Sequence, residues 1–407
     1  GARGLAVFGY VPEYRYESVD WEGIFKSTTH VALFSLEPTA EGELNGLDKL
    51  QGLLRPNSPF RVALKAASPT PKLLVSVGGA GRSKHFAAVS ASKPLRRKLA
   101  KNLAKLVVDV PIFAGVDIDW ETPQSEDQWR LLGKLAKDIR AAFTHAQEGQ
   151  PMRDLLLSFT YHPGSGAVPA FSKLKAKKSD KGFVELFDFG HAMAYSAFDR
   201  DRRHSTHRHD VTTIEEWTRA GLPPQKLTLG MPFFGVRGST GETKTYGEIL
   251  DKEPSLYHRP DVDETSDGIY FINAASAAKK VDLAKQSGIA GIMIWELGQD
   301  KRVSTGLSLL ARVWDAVKGV KPAGGAAGAL LATLFQYEDQ AVLTLTVIIG
   351  SYLLLKVLVG KPPPAFVPPE RPKGAPQPDV VRAPEPAAED NDGAEDDEGA
   401  GGDEDGV

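Results

Sequence analysis

In Gly115-Val116-Asp117-Ile118-Asp119-Trp120-Glu121, three carboxylates alternate with apolar residues. A strand has a side-chain period of two, so Asp117, Asp119 and Glu121 point to one face, roughly 6–7 Å apart in succession. Three carboxylates stacked this closely do not all ionise cheaply, since repulsion and burial hold a proton on one of them. Glu121, the outermost, is placed to donate it. A single acid at a strand end is most often a solvated loop anchor. Three in register within an apolar run are a chemical device.

Seven further apolar runs surround this one, at 5–10, 29–36, 72–77, 154–161, 187–195, 226–233 and 289–295, with the quoted motif inside 112–120. They are rich in Val, Ile, Leu and Phe and alternate little, as strands buried on both faces do. Helical periodicity separates them, most clearly in 94–108 and in 125–143, where Ser125 is a candidate N-cap. Eight strand–helix alternations predict an α/β fold of the (β/α)8 TIM-barrel type over residues 1–320. A doubly wound open sheet is disfavoured, because no Gly-rich phosphate loop follows the first strand. Residues 237–288 exceed one helical crossover, and a small insertion is expected at about 242–272, before the last strand. In such a barrel the carboxylate face is the interior, and the C-terminal strand end is where barrel enzymes do their chemistry.

The remaining sequence changes character. Residues 321–340 read as a linker, 341–359 as an apolar run broken only by Lys356, 360–382 as a proline-rich linker and 383–407 as an acidic tail expected to be disordered. Nineteen residues at about 1.5 Å each span roughly 28 Å, close to a bilayer core, so a single transmembrane helix is expected at 341–359. Lys356, Lys361, Arg371 and Lys373 lie in or after it, which predicts a cytoplasmic tail and a lumenal or extracellular barrel. That orientation needs an export signal. The net charge of −3 averages this tail, with its eleven acids, against a body of about +8. The body shows no aromatic-interleaved basic patch, so no nucleic-acid partner is expected. The absence of cysteine excludes thiolate metal sites and cysteine nucleophiles.

Over residues 1–320 the chain resembles the family 18 glycoside hydrolases, the chitinase family. The family signature Asp-Gly-x-Asp-x-Asp-x-Glu appears as Ala114-Gly115-Val116-Asp117-Ile118-Asp119-Trp120-Glu121, and SVGG at 76–79, MAY at 193–195, GMPFFG at 230–235 and GIMIWELGQD at 291–300 follow the family order. The resemblance implies hydrolysis of β-1,4-linked N-acetylglucosamine in a polysaccharide or oligosaccharide, with the substrate's own acetamido oxygen as nucleophile and no cofactor. It implies Glu121 as acid and base, Asp119 as acceptor of the acetamido N–H, and Asp117 with Ser76 holding Asp119. Tyr195 would donate to the acetamido oxygen, and Trp295 would stack beneath the sugar. Tyr10, Gly78, Gly79 and Met193 match further positions lining the sugar site.

The chain departs from the family at Ala114, Ser196 and Ala80, where Asp, Asp and Trp are common. Two other functions stay open: a membrane-anchored chitinase-like lectin, and an endo-β-N-acetylglucosaminidase acting on N-glycans. Lectins on this scaffold typically lose the acid, and Glu121 is retained. His204, His207 and His209 have a spacing that could ligate zinc. Flanking arginines repel a cation there, and no metal is expected. Glu37 and Glu296 lie at strand ends, where they could line a cleft or serve structure.

Overall fold

The computed structural model describes residues 4–164, 167–176, 182–195, 198–259 and 262–320. Linker 321–340, apolar run 341–359, proline-rich 360–382 and acidic tail 383–407 lie outside the described residues, as does Ser196. Among the described residues no helix is long and apolar enough to cross a membrane.

The eight expected strands all form: β1 Ala6–Pro12, β2 His30–Pro38, β3 Lys72–Gly78, β4 Phe113–Asp119, β5 Leu156–Tyr161, β6 Phe189–Ala192, β7 Leu227–Pro232 and β8 Gly291–Trp295. Each pairs in parallel with the next, and β8 pairs with β1, closing the barrel. β6 is shorter than the 187–195 expected: after Met193, whose N–H still donates to Tyr161 O at 2.9 Å, Ala194 and Tyr195 leave the ladder in tight turns. There Ala194 N–H donates to Ala192 O at 2.8 Å and Tyr195 N–H to Met193 O at 2.9 Å. β4 bulges beside Ala114: Phe113 pairs with Leu73, but Gly115 with Leu74.

Helices cover the outside because one stripe of each is apolar. Glu126–Ala146 begins at Ser125, whose side chain accepts the Gln128 N–H, and buries Trp129, Leu132, Leu135, Ala136, Ile139 and Phe143 at helical spacing. Each large side chain so buried contributes about 1.5–3 kcal/mol. The main core lies between strands and helices. A smaller cluster that includes Phe8, Leu74, Leu156 and Met293 lies apart from it, built from the alternate positions of the same strands, and it fills the barrel interior. The insertion is real and begins earlier than expected: Phe234–Val236 pairs with Thr243–Thr245, the helix Tyr246–Lys252 follows, and Tyr270 returns to pair with Val236.

Candidate active site

Above the apolar interior cluster comes a polar layer centred on Asp117, which is fully buried. Its carboxylate accepts from Tyr10 Oη at 2.9 Å and Ser76 Oγ at 2.9 Å on one oxygen, and from Ser158 Oγ at 2.7 Å on the other. β1, β3 and β5 thus each contribute one donor. Burial pushes the Asp117 carboxyl up, and the three hydroxyls oppose it. His191, also fully buried, presents Nε2 to Asp117 at 3.8 Å and bonds Thr228 through Nδ1 at 2.6 Å. Desolvation drives its imidazole down to about 3, so it is neutral.

Asp119 forms the next layer, 3% exposed, and takes a hydrogen bond from the Thr160 hydroxyl of β5. Burial raises its carboxyl well above the usual range, and the charges of Glu121 and Asp117 raise it further. Glu121 stands just beyond the strand with its side chain 21% exposed, and His162 Nε2 lies 3.6 Å from its carboxylate. Ser83 staples this turn: its hydroxyl lies 3.1 Å from Asp119 O as donor and accepts the Glu121 N–H at 3.0 Å. Exposure therefore rises from Asp117 to Asp119 to Glu121, the last being the most open.

The other expected residues gather around this axis with altered parts. Ser76 binds Asp117 rather than Asp119; the residue holding Asp119 is Thr160. Tyr10, 1% exposed, spends its phenol proton on Asp117. Gly78 and Gly79 shape the wall. Their φ values are +105° and +101°, and a Cβ would sit 2.2 Å from Asp119 O at the first and 2.3 Å from the Phe34 ring at the second. Gly79 N–H then reaches Asp119 O at 2.7 Å, locking β3 to β4 at the carboxylate. Trp295 is half-buried, with Phe34 edge-on at 4.8 Å and Tyr10 tilted at 5.7 Å. Tyr195 is 6% exposed. Burial and then the charges of Asp119 and Glu121 push its phenol well up, so it remains a donor. Met193 joins the interior cluster.

Glu296 is fully buried and serves structure: it pairs with Arg15 at 3.1 Å and accepts Gly298 N–H at 2.7 Å. Among the described residues no group of three His, Cys, Asp or Glu could hold a metal. Sequence reading missed Thr160, Ser158, Ser83, His162 and His191. The first two had a signal, since Ser158 and Thr160 alternate on β5 with the period of Asp117 and Asp119.

A family model described as glycosyl hydrolases family 18 matches residues 7–300. The chain is 25% identical over 316 residues to a class V chitinase of Medicago truncatula, covering 67% of this chain and 80% of that protein. It is 26% identical over 295 residues to a class V chitinase of Arabidopsis thaliana, covering 64% and 77%. In fold it is similar to a family 18 chitinase of Flavobacterium johnsoniae, with a TM-score of 0.61, 23% identity, and coverage of 78% of this chain and 96% of that one.

Proposed function

Because the chain belongs to glycosyl hydrolase family 18, we propose that it is a glycosidase that cleaves β-1,4-linked N-acetylglucosamine, as in chitin or chitooligosaccharides, by substrate-assisted retaining catalysis. The observation that carries this reading is the graded burial of three in-register carboxylates, ending in the most exposed acid, Glu121. Glu121 gives its proton to the glycosidic oxygen as the C1–O bond breaks. The acetamido oxygen of the same sugar attacks C1 and forms an oxazolinium ion. Water then adds at C1, returning its proton to Glu121, and the configuration is retained. Asp119 accepts the acetamido N–H, which aims the oxygen and stabilises the positive charge. The nucleophile is the substrate's own acetamido oxygen rather than Asp119. Tyr195 donates to the acetamido oxygen, and Trp295 offers an apolar face beneath the sugar. Asp117, with Tyr10, Ser76 and Ser158, holds the layer beneath.

The test is direct. Glu121→Gln should lower turnover of chitooligosaccharides by at least about a hundredfold while binding persists, the scale of general-acid catalysis. Unchanged turnover removes the assignment. A wild-type protein that binds chitooligosaccharides without cleaving them is a lectin, and one that cleaves only a high-mannose glycopeptide is an endo-β-N-acetylglucosaminidase.

A further inference from the structure

The segment Arg203–Asp210, whose histidines could have been metal ligands by spacing, lies behind Tyr195. His204 is 6% exposed, and its Nδ1 is 3.0 Å from the backbone carbonyl of Tyr195. Its Nε2 is 3.2 Å from the carbonyl of Tyr270, in the insertion. The imidazole stacks on Phe234 at 5.5 Å and 25°, and Phe234 meets the Tyr195 ring edge-on at 5.9 Å. Ser205 Oγ, next in the chain, donates to Ala194 O at 3.2 Å. Gly230 of β7 also approaches closely, for a Cβ there would sit 2.9 Å from the Tyr195 ring and 2.3 Å from Ala192 O.

Tyr195 lies three residues past the end of β6, where no ladder holds its backbone. Its aim depends on what grips it from outside the sheet. We propose that His204 is a positioning residue for the reaction: its Nδ1–H, donated to the Tyr195 carbonyl, fixes the phenol at the acetamido oxygen, and its stack on Phe234 ties that aim to the insertion. The inference rests on the role given to Tyr195 above. A neutral imidazole has one N–H to give, and the shorter contact assigns it to Nδ1. Burial lowers the His204 imidazole and keeps it neutral. Misplacing a group by about 1 Å costs up to about a hundredfold in rate, so a lost grip is visible in turnover.

Asparagine places an amide N–H near the position of Nδ1, and glutamine near that of Nε2. His204→Asn should keep kcat within about twofold of wild type. His204→Gln should lower kcat about tenfold, roughly the net worth of one hydrogen bond, with KM within about twofold. It should also weaken a thiazoline analogue of the oxazolinium by the same factor. In a Tyr195→Phe background His204→Gln should add less than twofold, because its effect acts through the phenol. If the Gln variant does not fold, His204→Phe keeps the stack on Phe234, lacks the donor, and carries the same expectation. Equal losses in the Asn and Gln variants, undiminished kcat in the Gln variant, or a full tenfold effect without the phenol overturn the proposal. If Tyr195→Phe itself leaves turnover unchanged, the role of Tyr195 falls and this inference with it.

Discussion

Asp119→Asn keeps the shape of the side chain, and its Oδ1 still accepts from the Thr160 hydroxyl, but one buried charge is removed. Asp117 and Glu121 flank it two residues away on the same strand face. Coulomb's law with an effective dielectric of about 20 gives about 2 kcal/mol for each ionised neighbour at about 7 Å. Because the three share protons, the gain should be near one such term, about 2 kcal/mol at neutral pH, or a rise of about 4 °C in melting temperature. The pH dependence has a definite sign. The folded-state carboxyl of Asp119 is raised, so its contribution to stability is full below the unfolded value of about 3.9 and is lost as pH rises through the folded value. The advantage of the variant should therefore be near zero at about pH 4 and grow with pH. Thermal unfolding of both proteins from pH 4 to pH 8 measures it, and turnover should fall about a hundredfold or more in parallel. A variant less stable than wild type at neutral pH, or a gap independent of pH, refutes the claim that Asp119 is held against its charge.

Lys280 and Asp210 form an ion pair in the interior, where burial raises the Asp210 carboxyl to about 6 and lowers the Lys280 ammonium while the pairing opposes both shifts. Lys280→Met leaves Asp210 buried and alone, and should cost about 3–5 kcal/mol in urea unfolding. That deficit should shrink on acidification, since a protonated Asp210 carries no unpaired charge, and an added Asp210→Leu should recover most of it. Proton NMR of early product should show the β anomer, and analogues with a 2-hydroxyl in place of the acetamido group should bind without reacting; early α anomer eliminates the mechanism. For residues 341–359, carbonate washing of cell membranes should leave the full chain in the pellet. Protease added to right-side-out vesicles should reach the barrel and spare an epitope at Val407, and the reverse pattern overturns the orientation.

The barrel was legible because its determinants are local. A strand buried on both faces must be apolar throughout, and each of the eight runs carries that requirement within itself. The carboxylate register was legible for the same reason, since alternation along one strand puts Asp117, Asp119 and Glu121 on one face whatever surrounds them. The Ser125 cap and the helix it starts needed no tertiary information.

What the fold alone decided is which groups meet across strands and loops. Ser76 and Ser158 reach Asp117 from two strands, each 41 residues away in the chain, and Thr160 stands as far from Asp119. The strand-to-strand register that closes the barrel sets those pairings, and no single strand encodes it. The bulge beside Ala114 shows the limit even within a strand, because one extra residue resets an alternation that counting assumes. Position at a strand end left Glu296 either to line a cleft or to serve structure, and Arg15, 281 residues away, decides for structure. The spacing of His204 could serve a metal, and its imidazole instead donates to the Tyr195 carbonyl and stacks on Phe234. A buried polar side chain takes whichever partner the packed chain brings within hydrogen-bonding reach, and loops bring partners from distances that no local pattern records.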